Sequence, residues 1–238
     1  DIQYLDWNNE QQYVWTTSWG LSTRFVGAII MTHGDDNGLI LPPKLAPIQV
    51  VIVPIYKNDE EKARVMPVVS RVENELKDFR VKIDAREEFT PGYKYNHWEL
   101  RGIPLRIEIG PKDVEKGTVA FARRDIPGRE GKSFVPNTQL DAQVAEMLQT
   151  IQASLYDRAL KFRYENTSNP QTLHDLYQAI QKGWALSYWC GNPDCETRVK
   201  DESKATTRCI PFDQPGDEGT CIVCGSPAKE KVIFGRAY

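Results

Sequence analysis

Apolar and polar positions along this chain follow strand-like and helix-like periods in turn. Residues 48–53 are apolar at almost every position, which is typical of a strand covered on both faces. Residues 105–109 alternate between apolar and charged side chains, which predicts a strand with one buried face. Further strands are predicted at 80–84 and 118–122. We therefore expect a sheet in the middle of the chain.

Two amphipathic helices accompany these strands. Asn58, followed by acidic residues, offers an N-cap and a favourable first helical turn. Pro67 lies inside the apolar stripe that follows, which predicts a kink or a late start. A longer helix is predicted from about Thr138. Strands that alternate with helices predict α/β layers. The two helical stripes consist of Val65, Val68, Val69, Val72 and Leu76, and of Val144, Met147, Leu148, Ile151 and Leu155.

Both ends of the chain add shorter elements. Near the beginning, the pattern predicts a strand at 13–16, a helix at 24–33 and a short buried strand at 39–41, with turn residues at 34–38 before it.

Near the end, a helix is predicted to open at Asn169-Pro170 and to close at Gly183. Strands are predicted at 184–190 and 231–234.

The composition excludes few functions. Of the 238 residues, 40% are hydrophobic and 26% are charged, as expected of a globular protein with one large or two small domains. No apolar run resembles a signal peptide or a membrane span. The net charge of −3 does not indicate a nucleic-acid binder, but a local basic surface would be enough to bind RNA. We expect a cytoplasmic protein without a membrane or DNA partner.

Four of the five cysteines form two close pairs. Cys190 and Cys195 are spaced C-x4-C, and Cys221 and Cys224 are spaced C-x2-C, which is typical of a tetrahedral metal site. We interpret them as ligands of a structural zinc ion. A disulfide framework is more typical of short secreted chains, and a redox C-x2-C pair would open a helix after a strand. Cys209 is predicted to be a small buried residue.

Three blocks of sequence resemble one enzyme family. Residues 17–24 and 34–43 resemble the third signature motif of class II aminoacyl-tRNA synthetases, in the form found in prolyl-tRNA synthetases. Residues 89–95, 98–104 and 110–113 resemble the anticodon-binding domain of that family. Residues 189–238 resemble its zinc-binding C-terminal domain of the archaeal/eukaryotic-like type. The first two signature motifs of the catalytic domain are absent, so the chain resembles the C-terminal part of the enzyme.

The resemblance implies a multi-domain α+β and α/β fold. Residues 1–45 would be the edge of the antiparallel catalytic sheet, and 46–162 a mixed five-stranded α/β anticodon-binding domain. Residues 163–238 would form a small α+β zinc-binding domain. The full enzyme would use ATP, magnesium, L-proline and tRNA(Pro) and would be a homodimer, whereas this chain alone would be inactive.

The resemblance also implies roles for residues of the catalytic edge. Arg24 would lie against ATP and neutralise its phosphates, as a permanently charged, planar guanidinium can do. Ser22 and Thr23 would help to hold the nucleotide. Trp19 would form a wall of the proline pocket, with Ser18 and Gly20 close to the amino acid. The residues alone favour a core Trp19 and an Arg24 paired with a carboxylate, and the resemblance reverses that preference.

In the anticodon block, the resemblance assigns base stacking to Tyr95 and guanine reading to Glu99, Arg106 and Lys112. Lys132 is a weaker candidate, and solvated strand and loop charges remain the alternative for Glu99 and Arg106. The C-terminal Tyr238 would face the active site.

Two other functions fit parts of this pattern. A stand-alone RNA-binding paralogue would keep the anticodon-binding fold but would not catalyse a reaction. A zinc-stabilised protein-interaction domain would neither bind RNA nor catalyse a reaction. Trp19 and Arg24 favour the synthetase, because a module released from catalysis has no need of them.

Overall fold

The computed structural model of the protein describes residues 2–236, and the chain forms two compact units, Asp1–Gln152 and Ala153–Tyr238. The domain boundaries after residues 45 and 162 remain predictions. None of the described helices is both long enough and apolar enough to cross a lipid bilayer.

The first 45 residues contain a hairpin and a helix. Strands β1 (Gln3–Leu5) and β2 (Gln11–Tyr13) pair in antiparallel fashion, with Gln3 opposite Tyr13. Helix α1 (Arg24–His33) has the predicted bounds but buries none of its residues. Large apolar side chains of this segment are therefore exposed, among them Trp7, Trp15 and Trp19.

Two strands predicted in this segment are wrong. The strand expected at 13–16 occupies Gln11–Tyr13, where the turn around Asp6 brings it opposite β1. Residues 39–41 form no regular strand. Instead, the N–H groups of Leu39 and Leu41 donate to the carbonyls of Leu100 and Gly102 at 3.0 and 3.1 Å, because this segment lies along the end of a helix rather than along a strand.

A mixed five-stranded sheet forms the middle of the chain, as predicted. Its elements in chain order are β3 (Val50–Pro54), α2 (Asp59–Glu75), β4 (Val81–Ile83), α3 (Pro91–Leu100), β5 (Leu105–Ile109), α4 (Pro111–Lys116), β6 (Thr118–Arg123), β7 (Lys132–Pro136) and α5 (Leu140–Glu165). The strand order is β4-β3-β5-β6-β7. Strand β3 is parallel to β4 and β5, whereas β6 is antiparallel to both of its neighbours.

The core of this sheet matches the apolar pattern. All five residues of β3 are buried, as expected of a central strand covered on both faces. Helix α2 begins at Asp59, where the Asn58 side chain accepts the N–H of Glu61 at 2.9 Å. Pro67 lies inside this helix at an exposed position, so the predicted late start is wrong. Water can satisfy the carbonyl that Pro67 leaves without a helical donor.

An ion pair between buried Arg124 and partly exposed Asp35 joins the turn after α1 to the sheet. Arg124 is 5% exposed, and its guanidinium donates to both carboxylate oxygens of Asp35 at 2.6 and 2.8 Å. Its Nε donates to the carbonyl of Glu99 at 2.9 Å. This fork geometry fixes two segments distant in sequence against the end of α3.

A buried carboxylate anchors α3. Asp84 is 2% exposed and accepts two bonds from Arg86 and one from the indole N–H of Trp98, each at 2.8 Å. The ammonium of buried Lys94 donates to the Asp84 carbonyl at 3.2 Å. Burial raises the pKa of Asp84, but the bonds from Arg86 and Trp98 outweigh burial and hold that pKa at about 2.

The second unit contains a smaller four-stranded sheet. After α5 it comprises β8 (Thr167–Ser168), α6 (Leu173–Ala179), β9 (Trp184–Trp189), α7 (Pro193–Ser203), β10 (Ala205–Cys209), β11 (Gly219–Thr220), β12 (Pro227–Ala228) and β13 (Glu230–Arg236). The sheet order is β10-β13-β9-β8, and β11 and β12 form a separate two-stranded pair. Apolar residues from α6, α7 and the sheet, including Leu176, Val199 and Phe234, form the core.

Two predictions for this unit are wrong. Helix α6 begins at Leu173 rather than at Asn169-Pro170, because Thr172 accepts the N–H of Asp175 at 3.1 Å and so provides the N-cap. Cys209 is exposed rather than buried. The pairing of β10 with β13 shifts register between Thr207 and Cys209, at the exposed end of the strand.

We expect Asp35→Asn to lower the free energy of unfolding by roughly 2 kcal/mol, because it leaves the buried guanidinium of Arg124 without its carboxylate. Urea unfolding followed by circular dichroism measures this change. The neighbouring exposed Asp36 provides the control, and Asp36→Asn should change stability by less than about 0.5 kcal/mol. Equal effects of the two substitutions would contradict the role given to the pair.

The depressed pKa of Asp84 predicts a stability change in acid. Its stabilising contribution is fully present above the ordinary value of 3.8 and is lost as the pH falls through about 2. We expect the wild-type protein to lose roughly 2 kcal/mol across this window. Asp84→Asn should be less stable at neutral pH and should lose less stability in acid. Denaturant titrations at a series of pH values, with exposed Asp78→Asn as the control, measure both effects.

Candidate functional site

The four paired cysteines come together in the second unit. The Sγ atoms of Cys190, Cys195, Cys221 and Cys224 all lie within 4.8 Å of one another. The Sγ of Cys190 is 3.7 Å from that of Cys195 and 3.8 Å from that of Cys224. Four sulfurs about 2.3 Å from a tetrahedral zinc ion stand about 3.8 Å apart, whereas a disulfide is about 2.05 Å long. The arrangement therefore fits a metal ion and not a disulfide.

Local structure explains how each pair reaches the cluster. Cys190 follows β9, and Gly191 then turns the chain with a φ of 81°, in the left-handed region that favours glycine. Asn192 caps α7 and places Cys195 in the first turn of that helix. On the other side, Cys221 accepts the N–H of Gly225 on its carbonyl at 2.8 Å, which closes the tight turn that carries Cys224.

The environments of the thiols differ. Burial, together with the neighbouring thiols, raises the pKa of Cys195. Hydrogen bonds from Ser226 lower the pKa of Cys224. A metal ion replaces the protons of all four thiols, and it therefore competes most directly with the proton on buried Cys195.

In the first unit, Arg106 lies at the centre of a charged and aromatic cluster. Its guanidinium carbon lies 4.0 Å from the centroid of the Tyr95 ring, a cation–π contact. It donates to Glu99 at 2.7 Å and to Glu108 at 3.1 Å. The Arg106 side chain is only 13% exposed, and that of Glu99 is 43% exposed. Three of the predicted anticodon residues, Tyr95, Glu99 and Arg106, thus form one surface between α3 and β5.

Glu108 belongs to this cluster and was not among the predicted site residues. It is 3% exposed and pairs with both Arg106 and Lys132, the latter at 2.5 Å. Burial is the larger cause that raises the pKa of the Tyr95 phenol, and the negative charge of Glu108 raises it further. The strict alternation of 105–109 places Arg106 and Glu108 on one face of β5, a signal that could have identified the pair from sequence.

The remaining predicted residues lie apart from this cluster. Lys112 is exposed on α4 and, among the contacts of residues 2–236, pairs with no carboxylate. The catalytic-edge candidates Ser18, Trp19, Gly20, Ser22, Thr23 and Arg24 are all exposed. Trp19 is 97% exposed, Thr23 precedes α1 without a side-chain cap bond, and Arg24 begins that helix. Tyr238 lies outside the described residues.

Comparisons with known proteins give a consistent result. Residues 49–154 match the family model "Anticodon binding domain", and residues 173–238 match "Prolyl-tRNA synthetase, C-terminal". The chain is 55% identical to the proline–tRNA ligase of Roseiflexus castenholzii and 51% identical to the chloroplastic/mitochondrial proline–tRNA ligase of Arabidopsis thaliana. It aligns over 100% and 99% of its length but over only 50% and 45% of theirs, so it spans about half the length of these relatives.

Solved structures agree with these matches. The prolyl-tRNA synthetase of Cryptosporidium parvum, complexed with halofuginone and AMPPNP, superposes with a TM-score of 0.85 at 36% identity. The same enzyme complexed with L-proline and AMP superposes with a TM-score of 0.83 at 37% identity. Each comparison covers 99% of this chain, and 49% and 51% of the respective solved chain.

We expect Cys221→Ser to abolish stoichiometric metal binding and to lower the thermal stability of the second unit, because three thiolates no longer complete a tetrahedron. Elemental analysis of protein purified with zinc, together with thermal unfolding before and after chelation, measures both effects. Cys209→Ser is the matched control, because Cys209 is exposed and outside the cluster. Equal metal content in the two variants would refute the assignment.

Proposed function

Because this chain belongs to the prolyl-tRNA synthetase family, we propose that it is the C-terminal part of an enzyme that activates L-proline with ATP and transfers it to tRNA(Pro). The observation that carries this proposal is the match to the anticodon-binding model over 49–154, the segment in which Tyr95, Glu99 and Arg106 form one surface. Relatives named proline–tRNA ligase align along the whole chain.

The anticodon of tRNA(Pro) would be read by this surface. Proline anticodons end in two guanines, whose O6 and N7 atoms accept bonds from Arg or Lys, while carboxylates accept from N1 and N2. Glu108 and Glu99 orient Arg106 and leave its other N–H groups for a base. Tyr95 would stack a base, Glu99 and Lys112 would bond to guanine edges, and Lys132 would add positive charge.

The catalytic edge would contribute to proline activation. Arg24 would stabilise the phosphates of ATP, with Ser22 and Thr23 beside the nucleotide. Trp19, Ser18 and Gly20 would line the proline pocket. Activation is an in-line attack of the proline carboxylate on the α-phosphate, so positioning and charge stabilisation provide most of the catalysis. ATP would enter with magnesium, which supplies further charge neutralisation.

Three further parts of the proposal concern assembly. A structural zinc ion would be held by four thiolates, which leave no open position for water or substrate. Trp7, Trp15 and Trp19 are each almost fully exposed, which supports a catalytic site that is incomplete in this chain alone. The complete enzyme would be a cytoplasmic homodimer, and Tyr238 would face its active site.

The test of anticodon reading is a titration of this chain with tRNA(Pro) and with a variant whose two anticodon guanines are replaced, at fixed salt. We expect the natural tRNA to bind at least about tenfold more tightly, because each bidentate guanine contact contributes about 1–3 kcal/mol. Lys112→Met should reduce this preference, whereas Lys116→Met, a charge loss on the same exposed helix, should preserve it. Equal affinity for both tRNAs would contradict base reading by this surface.

Catalysis is tested in a protein that joins this chain to the missing catalytic half. We expect proline-dependent pyrophosphate exchange in the joined protein, none in this chain alone, and at least about a hundredfold lower rate in Arg24→Ala. Unchanged exchange in Arg24→Ala would remove Arg24 from the ATP site. An inactive joined protein that still prefers the natural anticodon would favour an RNA-binding paralogue.

A further inference from the structure

A continuous stack of side chains runs along one side of helix α3. The guanidinium carbon of Arg86 lies 4.8 Å from the centroid of Phe89, and Phe89 stacks on Tyr93 with a centroid distance of 4.3 Å and an interplanar angle of 15°. Tyr93 and His97 are 6.1 Å apart and tilted by 33°. Arg101 contacts the imidazole of His97 at 3.1 Å. We call Phe89, Tyr93 and His97 the aromatic ladder.

The ladder is accessible from solvent. Tyr93 is 49% exposed, whereas Trp98, which meets His97 edge-on, is 8% exposed and belongs to the core. Aromatic pairs four residues apart stabilise a helix by only about 0.2–0.5 kcal/mol each, so helix stability alone gives little reason to expose such a row. The guanidinium of Arg101 at one end adds positive charge beside the row, whereas that of Arg86 at the other end is already paired with Asp84.

The position of the ladder relates it to the base-reading surface. At 3.6 residues per turn, Tyr93 and His97 lie on one side of α3, and Tyr95 and Glu99 lie on nearly the opposite side. Lys94 and Trp98 occupy the buried face between them, and Asn96 lies on the exposed ridge. Crossing that ridge spans about the helix diameter of 10–12 Å, a distance that a few nucleotides of single strand can bridge.

We propose that the aromatic ladder is a stacking surface for an unpaired RNA base located a few nucleotides from the two guanines. This inference rests on the proposed function, because it extends the same bound loop across α3. Every base has a π-face, so the ladder would add affinity without reading sequence.

The geometry suggests where the base enters. Phe89 contacts both Arg86, at 4.8 Å, and Tyr93, at 4.3 Å, so we assign it a supporting role beneath Tyr93. A base between Tyr93 and His97 requires about 7 Å between the rings, twice a favourable carbon–carbon distance. From the present 6.1 Å and 33° tilt, a small rotation of exposed Tyr93 away from half-buried His97 would open this space. Arg101, which contacts His97, then lies close to where the backbone phosphates would pass.

The test uses the full chain and an RNA hairpin carrying the anticodon loop of tRNA(Pro), with 2-aminopurine at one unpaired loop position beside the guanines. Stacking on an aromatic ring quenches 2-aminopurine fluorescence. We expect quenching with the wild-type protein, its loss in Tyr93→Leu, and about a tenfold higher Kd for that variant. Tyr93→Phe, which keeps the ring, should restore both.

Controls separate stacking from folding and from base reading. Tyr4→Leu removes another tyrosine, 53% exposed, and should change neither quenching nor Kd. His97→Gln provides a second ladder variant if Tyr93→Leu fails to fold. Tyr93→Leu should weaken the natural and the guanine-replaced hairpins by the same factor.

The outcomes are distinguishable. If the wild-type protein shows no guanine preference but Tyr93→Leu still weakens binding, the ladder stands and base reading by Arg106 fails. If ladder variants bind and quench like the wild-type protein, the ladder is refuted, whatever the guanine preference.

Discussion

The buried carboxylate of Glu108 fixes the basic side chains of the surface that we propose reads the anticodon. It lies on β5 at 3% exposure, and two cations, Arg106 and Lys132, converge on it from β5 and β7. A carboxylate in this position is tolerated only because both partners bond to it, since an unpaired buried charge would cost several kcal/mol. The same pairing holds the Arg106 guanidinium over the Tyr95 ring, 4.0 Å from its centroid. Orientation of the cluster therefore comes from within the sheet, before any ligand is bound.

Helix α3 is likewise held in place by hydrogen bonds to buried charged residues. Its buried residues are Lys94 and Trp98, and both hydrogen-bond to Asp84. Its C-terminal end is held by Arg124, which bonds to the Glu99 carbonyl and to Asp35. Directional contacts thus set the rotation of the helix about its axis, which decides where the exposed aromatic side chains point. A helix attached only by an apolar stripe could rotate more freely about its axis.

This mode of attachment also explains what sequence could and could not predict. Strand β3 and helix α2 follow from continuous or periodic apolar residues, and the thiol cluster follows from cysteine spacing. Helix α3 has no apolar period to reveal it, because polar contacts with distant segments hold it in place. Glu108 appeared as one charge in an alternating strand. Its importance arises from Lys132, which becomes its neighbour only when β7 joins the sheet.

In the second unit, four cysteines lie where a bound metal ion would fix a small pair of strands. Its β11–β12 pair contributes only two residues from each strand, too few to be stable alone. Cys221 and Cys224 sit in the turn between these strands, and Cys190 and Cys195 sit where β9 passes into α7. One ion bound to all four would tie this small pair to the main sheet. Burial raises the pKa of Cys195, so an ion would have to displace the proton that this site favours. Because the four thiols come from segments distant in sequence, they surround an ion only once these segments have folded, and metal binding and folding of this part should occur together.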